Sequence, residues 1–164
     1  MDLTIRPMTA EDWPDVRGIY GEGMATGDAT FATDLPDWKQ WDSSHRPNCR
    51  LVASDGNEVL GWAALSPVSA RQVYAGVAEV SVYVATSATG KGVGKALLRA
   101  LIEESERCGI WTLQAGIFPE NIASVALHKS LGFREVGVRE KIGKHGNRWR
   151  DVLLLERRSS TVGE

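Results

Sequence analysis

Apolar and polar positions alternate along Val77–Val84, with Ala78, Val80, Val82 and Val84 in one set and Glu79, Ser81 and Tyr83 in the other. A period of two is that of a β-strand whose faces meet different surroundings. Similar short runs predict strands over Leu3–Pro7, closed by its proline, and over Arg50–Ser54 and Val59–Leu65, joined by a turn at Asp55-Gly56-Asn57. Ile110–Phe118 predicts a further central strand, and Glu135–Lys141 with Trp149–Leu155 a terminal hairpin around Gly143–Asn147. Helical spacing shows elsewhere. Trp13, Val16, Ile19 and Tyr20 share one face after Thr9-Ala-Glu-Asp12, a capping box with Asp in the Glu position, and this helix is expected to end near Gly21. A short helix over Pro36–Ser44 carries Trp38 and Trp41. Longer helices run from the glycines after Val84 to about Cys108, and from Pro119-Glu-Asn121 to Gly132. Gly109 and Gly132 suit the left-handed position that follows a helix. Hairpin-paired strands followed by strands separated by helices give an α/β fold of the α+β kind. One domain is expected over residues 1–164, with 157–164 as a free tail.

The junction between the Val77–Val84 strand and the next helix is the most informative segment. A short polar loop leads to Gly90, Gly92 and Gly94 at alternate positions and then into the helix. Glycines let successive N–H groups converge without Cβ obstruction, and a helix start adds unpaired donors and a positive dipole end. Such a junction holds a phosphate or pyrophosphate. A nucleotide P-loop is excluded, because Ala96 follows Gly94-Lys95 where Ser or Thr is required and Thr89 stands where the first glycine should be. The dinucleotide pattern fails at Lys95 or Leu97, depending on where it is started.

Bulk properties narrow the classes further. A chain of 164 residues with 43% hydrophobic and 24% charged residues suits one globular core. A net charge of −2 and a pI near 6.0 argue against nucleic acid as a partner. No apolar run reaches the ~18–20 residues of a membrane span, and the N-terminus lacks a signal-peptide pattern. Cys49 and Cys108 are the only cysteines, without Cys-x-x-Cys or a histidine cluster, so neither a disulfide framework nor a metal site is expected. A reducing cytoplasm fits best.

Val84–Leu98 resembles the acetyl-CoA-binding motif of the GNAT superfamily of N-acetyltransferases, whose core is Arg/Gln-x-x-Gly-x-Gly/Ala. The segment Asn121-Ile-Ala-Ser124-Val-Ala-Leu127-His128-Lys-Ser-Leu131-Gly132-Phe133 resembles that superfamily's second signature. Ala29-Thr30-Phe31, Ser81–Val84 and Arg148-Trp149-Arg150-Asp151-Val152 are similar to the phosphinothricin and methionine sulfone acetyltransferase branch. The chain departs from the pattern at Thr89, which replaces Arg or Gln, and at Thr86, which replaces a proline common after the strand.

The resemblance implies a GNAT fold with a mixed, mostly antiparallel sheet flanked by helices. It implies acetyl-CoA as cosubstrate, no metal, and a homodimer to which Trp149 contributes. The acceptor would be a small amine or amino-acid analogue attacking the thioester directly. Pantetheine would lie beside Val82, Tyr83 and Val84, and the pyrophosphate would meet the backbone of Thr89, Gly90, Lys91, Gly92, Val93, Gly94 and Lys95. Asn121 and Ser124 would contact the pantetheine arm. Glu79 is the candidate base, and His128 a second candidate acid or base. Phe31, Arg71, Tyr74 and Tyr83 would line the acceptor site, with Arg71 taking an anionic group.

Plainer readings stand beside these. Glu79 also reads as a solvent-facing strand residue, His128 as a surface histidine and Asn121 as a helix cap. Lys91, Lys95 and Arg71 also read as solvated cations. The basic residues Arg139, Lys141, Lys144, His145, Arg148 and Arg150 read as a solvated hairpin. Two rival functions remain: a protein N-terminal acetyltransferase, and a CoA-binding sensor without catalysis.

Overall fold

A computed structural model describes residues 1–164. The elements run β1 (Leu3–Pro7), α1 (Trp13–Ala25), α2 (Trp38–Ser44), β2 (Leu51–Asp55), β3 (Glu58–Pro67), β4 (Val77–Val84), α3 (Val93–Arg107), β5 (Thr112–Ile117), α4 (Ile122–Ser130), β6 (Arg134–His145) and β7 (Arg148–Arg158). The strands form one seven-stranded sheet in the order β1-β2-β3-β4-β5-β7-β6. Every neighbouring pair is antiparallel except β4 with β5.

Alternation along the strands divides the core into two layers. Trp62 on β3 turns toward α1 and α2, meeting Tyr20 at 5.8 Å and Trp41 at 5.5 Å between ring centroids. Its neighbour Gly61 faces the other way, where a Cβ would lie 2.9 Å from Leu97 and 3.2 Å from Val93 of α3. The absent side chain lets α3 sit close on the sheet. Leu97, Leu98 and Leu101 are fully buried there, and shortening any one to Ala should cost about 2–5 kcal/mol.

The helix ends follow the capping residues. Asp37 and Gln40 cap α2 reciprocally, at 2.9 and 2.8 Å. Thr9 N–H donates to Asp12, whose carboxylate also takes a two-pronged bond from Arg6 at 2.8 Å per prong. Gly109 and Gly132 take φ values of 79° and 91° after α3 and α4, as expected from sequence.

Three expected boundaries move, the first at the terminal hairpin, where β6 runs to His145 and Gly143 lies in the strand rather than in the turn. Gly21 does not end the first helix, which continues to Ala25. Gly23 lies inside it because a Cβ there would come within 2.7 Å of the Tyr83 ring, so the glycine serves close packing rather than termination. The segment read as a tail from Arg157 is instead the end of β7, followed by anchored residues. Ser159 is buried and donates to Glu106 at 2.5 Å, while Arg158 binds the carbonyls of Val162 and Gly163 at 2.7 and 2.5 Å.

Candidate functional site

A fork in the sheet organises the site. β4 pairs with β5 only at Val77, Ala78 and Glu79, whose partners are Thr112, Leu113 and Gln114. Beyond that point β5 follows β7 to Ile117, while β4 continues alongside β3 to Val84. The Tyr83 carbonyl faces β3, near Gly61, and Ala85 N–H bonds Leu60 O at 2.8 Å. Since main-chain groups point to alternate sides along a strand, those of Val82 and Val84 face the opening and those of Tyr83 do not. This free strand edge can pair with an extended amide-bearing ligand.

Glu79 stands at the vertex of the fork. It is half-buried, and its Oε1 accepts a 3.0 Å hydrogen bond from Gln114 Nε2, its register partner. Its other carboxylate oxygen is left to accept a proton from a group in the fork. Gln114 escaped the sequence reading. Only the parallel register, a long-range property, brings it beside Glu79.

Downstream of β4 the chain makes a donor-rich turn. Gly90 and Gly92 take φ values of 78° and 82°, the left-handed region closed to most side chains. The first main-chain bond of the following helix is Ala96 N–H to Gly92 O at 3.1 Å. The N–H groups from Gly90 to Lys95 therefore have no acceptor within the chain. They gather at the positive end of α3, the local field an anion requires. Lys91 and Lys95 are exposed and free of ion pairs, while Thr89 turns its hydroxyl back to Ala85 O at 3.4 Å. Gly94 sets α4 against this turn: a Cβ there would meet Leu127 at 3.3 Å and Val84 at 3.4 Å.

Along α4, Asn121 has two uses. Its Oδ1 caps the helix by accepting from Ser124 N–H at 3.3 Å, and its Nδ2 donates to Asp28 O at 3.2 Å. His128 is buried, not a surface histidine, and packs edge-on against Phe133 at 5.1 Å. Its Nδ1 lies 2.7 Å from the Ser124 carbonyl, which can only accept, so Nδ1 carries the proton. Burial holds its pKa below the usual 6.5, outweighing the opposite pull of that carbonyl. At neutral pH His128 is thus an uncharged ring whose Nε2 is an acceptor, and no hydrogen bond joins it to Glu79.

The acceptor-side residues fall into separate groups. Phe31 packs edge-on against Phe118 at 4.8 Å and against Gly143 of β6, where a Cβ would lie 2.8 Å from its ring. Tyr83 stacks on Trp62 at 4.9 Å and meets Tyr20 at 5.0 Å, and burial raises its pKa. Its ring belongs to the aromatic layer under α1. Arg71 and Tyr74 are exposed on the β3–β4 loop, with the guanidinium 5.5 Å above the ring. No hydrogen bond or ring contact joins that pair to Phe31, Tyr83 or Glu79.

Arg150 corrects the reading of the hairpin as wholly solvated. Its side chain is 1% exposed and bonds Asp28 at 2.8 Å, with Glu120 at 3.6 Å. It also donates to Gly27 O at 2.5 Å and lies 3.7 Å over the Phe118 ring. One cation from β7 thereby ties the Gly27–Phe31 loop to the start of α4. Charge density hid it, because Glu and Asp alternate with the basic residues around it.

A surface depression of about 650 Å³ lies between α1, the β2–β3 turn and the residues just after β4, and contains neither Glu79 nor the glycine turn. Asp15, Glu22, Asp55 and Glu58 line it, so its field repels a diphosphate.

Known proteins resemble this chain in sequence and in fold. The Acetyltransferase (GNAT) family matches residues 10–133. The chain is 34% identical over 162 residues to an L-methionine sulfoximine/L-methionine sulfone acetyltransferase of Pseudomonas aeruginosa, covering 95% of this chain and 94% of the relative. A GNAT superfamily phosphinothricin acetyltransferase from Sinorhizobium meliloti, solved in complex with acetyl-CoA, superposes with a TM-score of 0.86 at 30% identity, covering 96% of this chain and 89% of the other. A ribosomal-protein-alanine N-acetyltransferase from Brucella melitensis superposes with a TM-score of 0.87 at 34% identity, covering 95% and 99%.

Proposed function

The chain belongs to the acetyltransferase (GNAT) family and is an acetyl-CoA-dependent N-acetyltransferase, and on that premise we propose that it acetylates the α-amine of a small amino-acid-like compound of the phosphinothricin or methionine sulfone and sulfoximine kind. The observation that carries this reading is a carboxylate, Glu79, at the vertex of a fork whose free edge leads into an unpaired row of amides. When bound, acetyl-CoA supplies the thioester carbonyl that the acceptor amine attacks directly. The N–H groups from Gly90 to Lys95 would hold its diphosphate, helped by Lys91 and Lys95. The main-chain groups of Val82 and Val84 would pair with its amide arm beside Asn121 and Ser124.

Glu79 removes the proton that keeps the acceptor an ammonium, through the oxygen that Gln114 leaves free. Gln114 holds the carboxylate in place while it does so. Neutral His128 has its one N–H proton committed to Ser124 and so has none to give as an acid, and the base role is assigned to Glu79 for its place at the vertex of the fork. Phe31 forms an apolar wall, and Arg71 on the β3–β4 loop, one of several cations without a carboxylate partner, would take an anionic end of the acceptor. The cysteines lie at the opposite end of α3 from the glycines, which favours a ternary complex over an acyl-cysteine.

The similarity to a ribosomal-protein-alanine acetyltransferase sustains one rival, acetylation of a protein N-terminus. Thiol release from acetyl-CoA, measured with methionine sulfone, phosphinothricin and an Ala-initiated peptide, separates the two. Turnover of the analogues with an inert peptide is expected. Preferential turnover of the peptide would overturn the assignment.

We also propose a homodimer through β6. It is a twelve-residue edge strand with Val136, Val138 and Ile142 exposed, and Trp149 beside it on β7 is 57% exposed. Sedimentation of wild type and Trp149→Lys checks this, with a shift toward monomer expected in the variant. No helix is long and apolar enough to cross a membrane, and both cysteines are free thiols, in keeping with a cytoplasmic location.

A further inference from the structure

Cys49 and Cys108 are 59 positions apart in sequence, yet their sulfurs lie 3.4 Å apart. Cys49 sits just before β2, buried, with a φ of 60° that non-glycine residues seldom adopt. Cys108 caps the C-terminal end of α3 and is half-buried. A disulfide needs an S–S distance of about 2.05 Å, so the remaining gap is of a size that side-chain rotation spans. Neither thiol belongs to the acetyl-transfer site. The fifteen residues of α3 separate Cys108 from the glycine turn, a distance of roughly 22 Å at the usual helical rise.

We propose that Cys49 and Cys108 form a modifiable dithiol that a low-molecular-weight disulfide oxidises to an intrachain bridge. Cys108, the more accessible of the two, enters first. Its thiolate attacks one sulfur of the reagent, the reagent's S–S bond breaks, and one small thiol leaves and takes up a proton. Cys49 then gives its proton to solvent and attacks Cys108 Sγ. The protein S–S bond forms as the mixed disulfide breaks and the second small thiol departs. Two protein thiols are oxidised and one small disulfide is reduced to two thiols, so the exchange balances.

Burial raises the Cys49 thiol pKa, and its bond with Cys108 adds to this, which makes the second step the slow one. The bridge would join the end of α3 to the segment feeding β2 and so constrain a long loop of the unfolded chain. In a reducing compartment such a bond is transient, formed under oxidative load.

The test treats the purified full-length protein with oxidised glutathione, followed by alkylation in denaturant, intact mass and a non-reducing peptide map. The expected product has lost two hydrogens, resists alkylation at both cysteines and contains a Cys49–Cys108 linked peptide. Its Tm should rise by roughly 5–10 °C, reversed by dithiothreitol, with acetyl-transfer kinetics unchanged. Cys49→Ser should stop at a glutathione adduct on Cys108, and Cys108→Ser should leave native Cys49 unmodified. Full alkylation of both residues after oxidation, or a wild-type protein that stops at the Cys108 adduct, would overturn the proposal.

Discussion

The two sides of the fork are built by different means. On the side of β4 and α3, the groups presented to a ligand are main-chain amides, from Gly90 to Lys95, and the free edge at Val82 and Val84. On the other side they are side chains from distant segments: Phe31 against Gly143, Gln114 against Glu79, and Arg150 against Gly27, Asp28 and Glu120. The first side follows from local backbone conformation, and there Thr89 stands in the place of the Arg or Gln of the family pattern. The second depends on particular residues meeting across the fold. Cosubstrate binding should therefore be robust to side-chain change, and acceptor chemistry sensitive to it.

The sharpest division should come from Glu79→Gln. Thiol release should fall about 10²–10⁴-fold, the usual weight of a positioned base, while CoA affinity stays within twofold. A parallel loss of CoA binding would erase the distinction between the two sides. Arg150→Met should come next. Asp28 and Glu120 are 47% and 53% exposed and can rehydrate, so the loss of stability should be about 2–3 kcal/mol, below that of a fully buried pair. Urea unfolding measures it. In the folded variant, the acceptor KM should rise while CoA affinity holds, because the Gly27–Phe31 loop has lost its tether.

How much of this was legible in the sequence follows the same line. The glycine turn could be read from residues 84–98 because the signal is local: a strand, alternate glycines, a helix. The helix ends at Gly109 and Gly132 were legible for the same reason. Gly21 misled, because it lies inside α1 and packs against Leu35 from the loop beyond the helix. Arg150 was lost among charged neighbours, since nothing local tells a buried arginine from a solvated one. Gln114 and the contact between Cys49 and Cys108 depend on the sheet register and the packing of α3, which periodicity does not report.

A smaller effect should come from Gly92→Val, which places a β-branched residue at a φ of 82°. The strain should cost about 1–2 kcal/mol, or roughly tenfold in CoA affinity if it displaces the amides. Acceptor KM at saturating acetyl-CoA should not move. The smallest effect is that of His128. Its folded pKa lies below the unfolded value, so protonation favours the unfolded chain. Its stabilising contribution is complete above the usual 6.5 and is lost as pH falls below it. His45 is shifted the same way by burial, so His128→Gln should flatten the acid-side slope of the urea midpoint without abolishing it. An unchanged slope would mean that the buried imidazole is already charged.

The central claim is that main-chain amides between Gly90 and Lys95 hold the diphosphate of the cosubstrate. Amide NMR during titration with coenzyme A, repeated with pantetheine, tests it most directly. Coenzyme A should saturate with its largest shifts at Gly90–Lys95, and pantetheine, which lacks the diphosphate, should bind at least about a hundredfold more weakly, a difference near 2.7 kcal/mol. Equal affinity for the two ligands, or shifts centred away from that turn, would contradict the account.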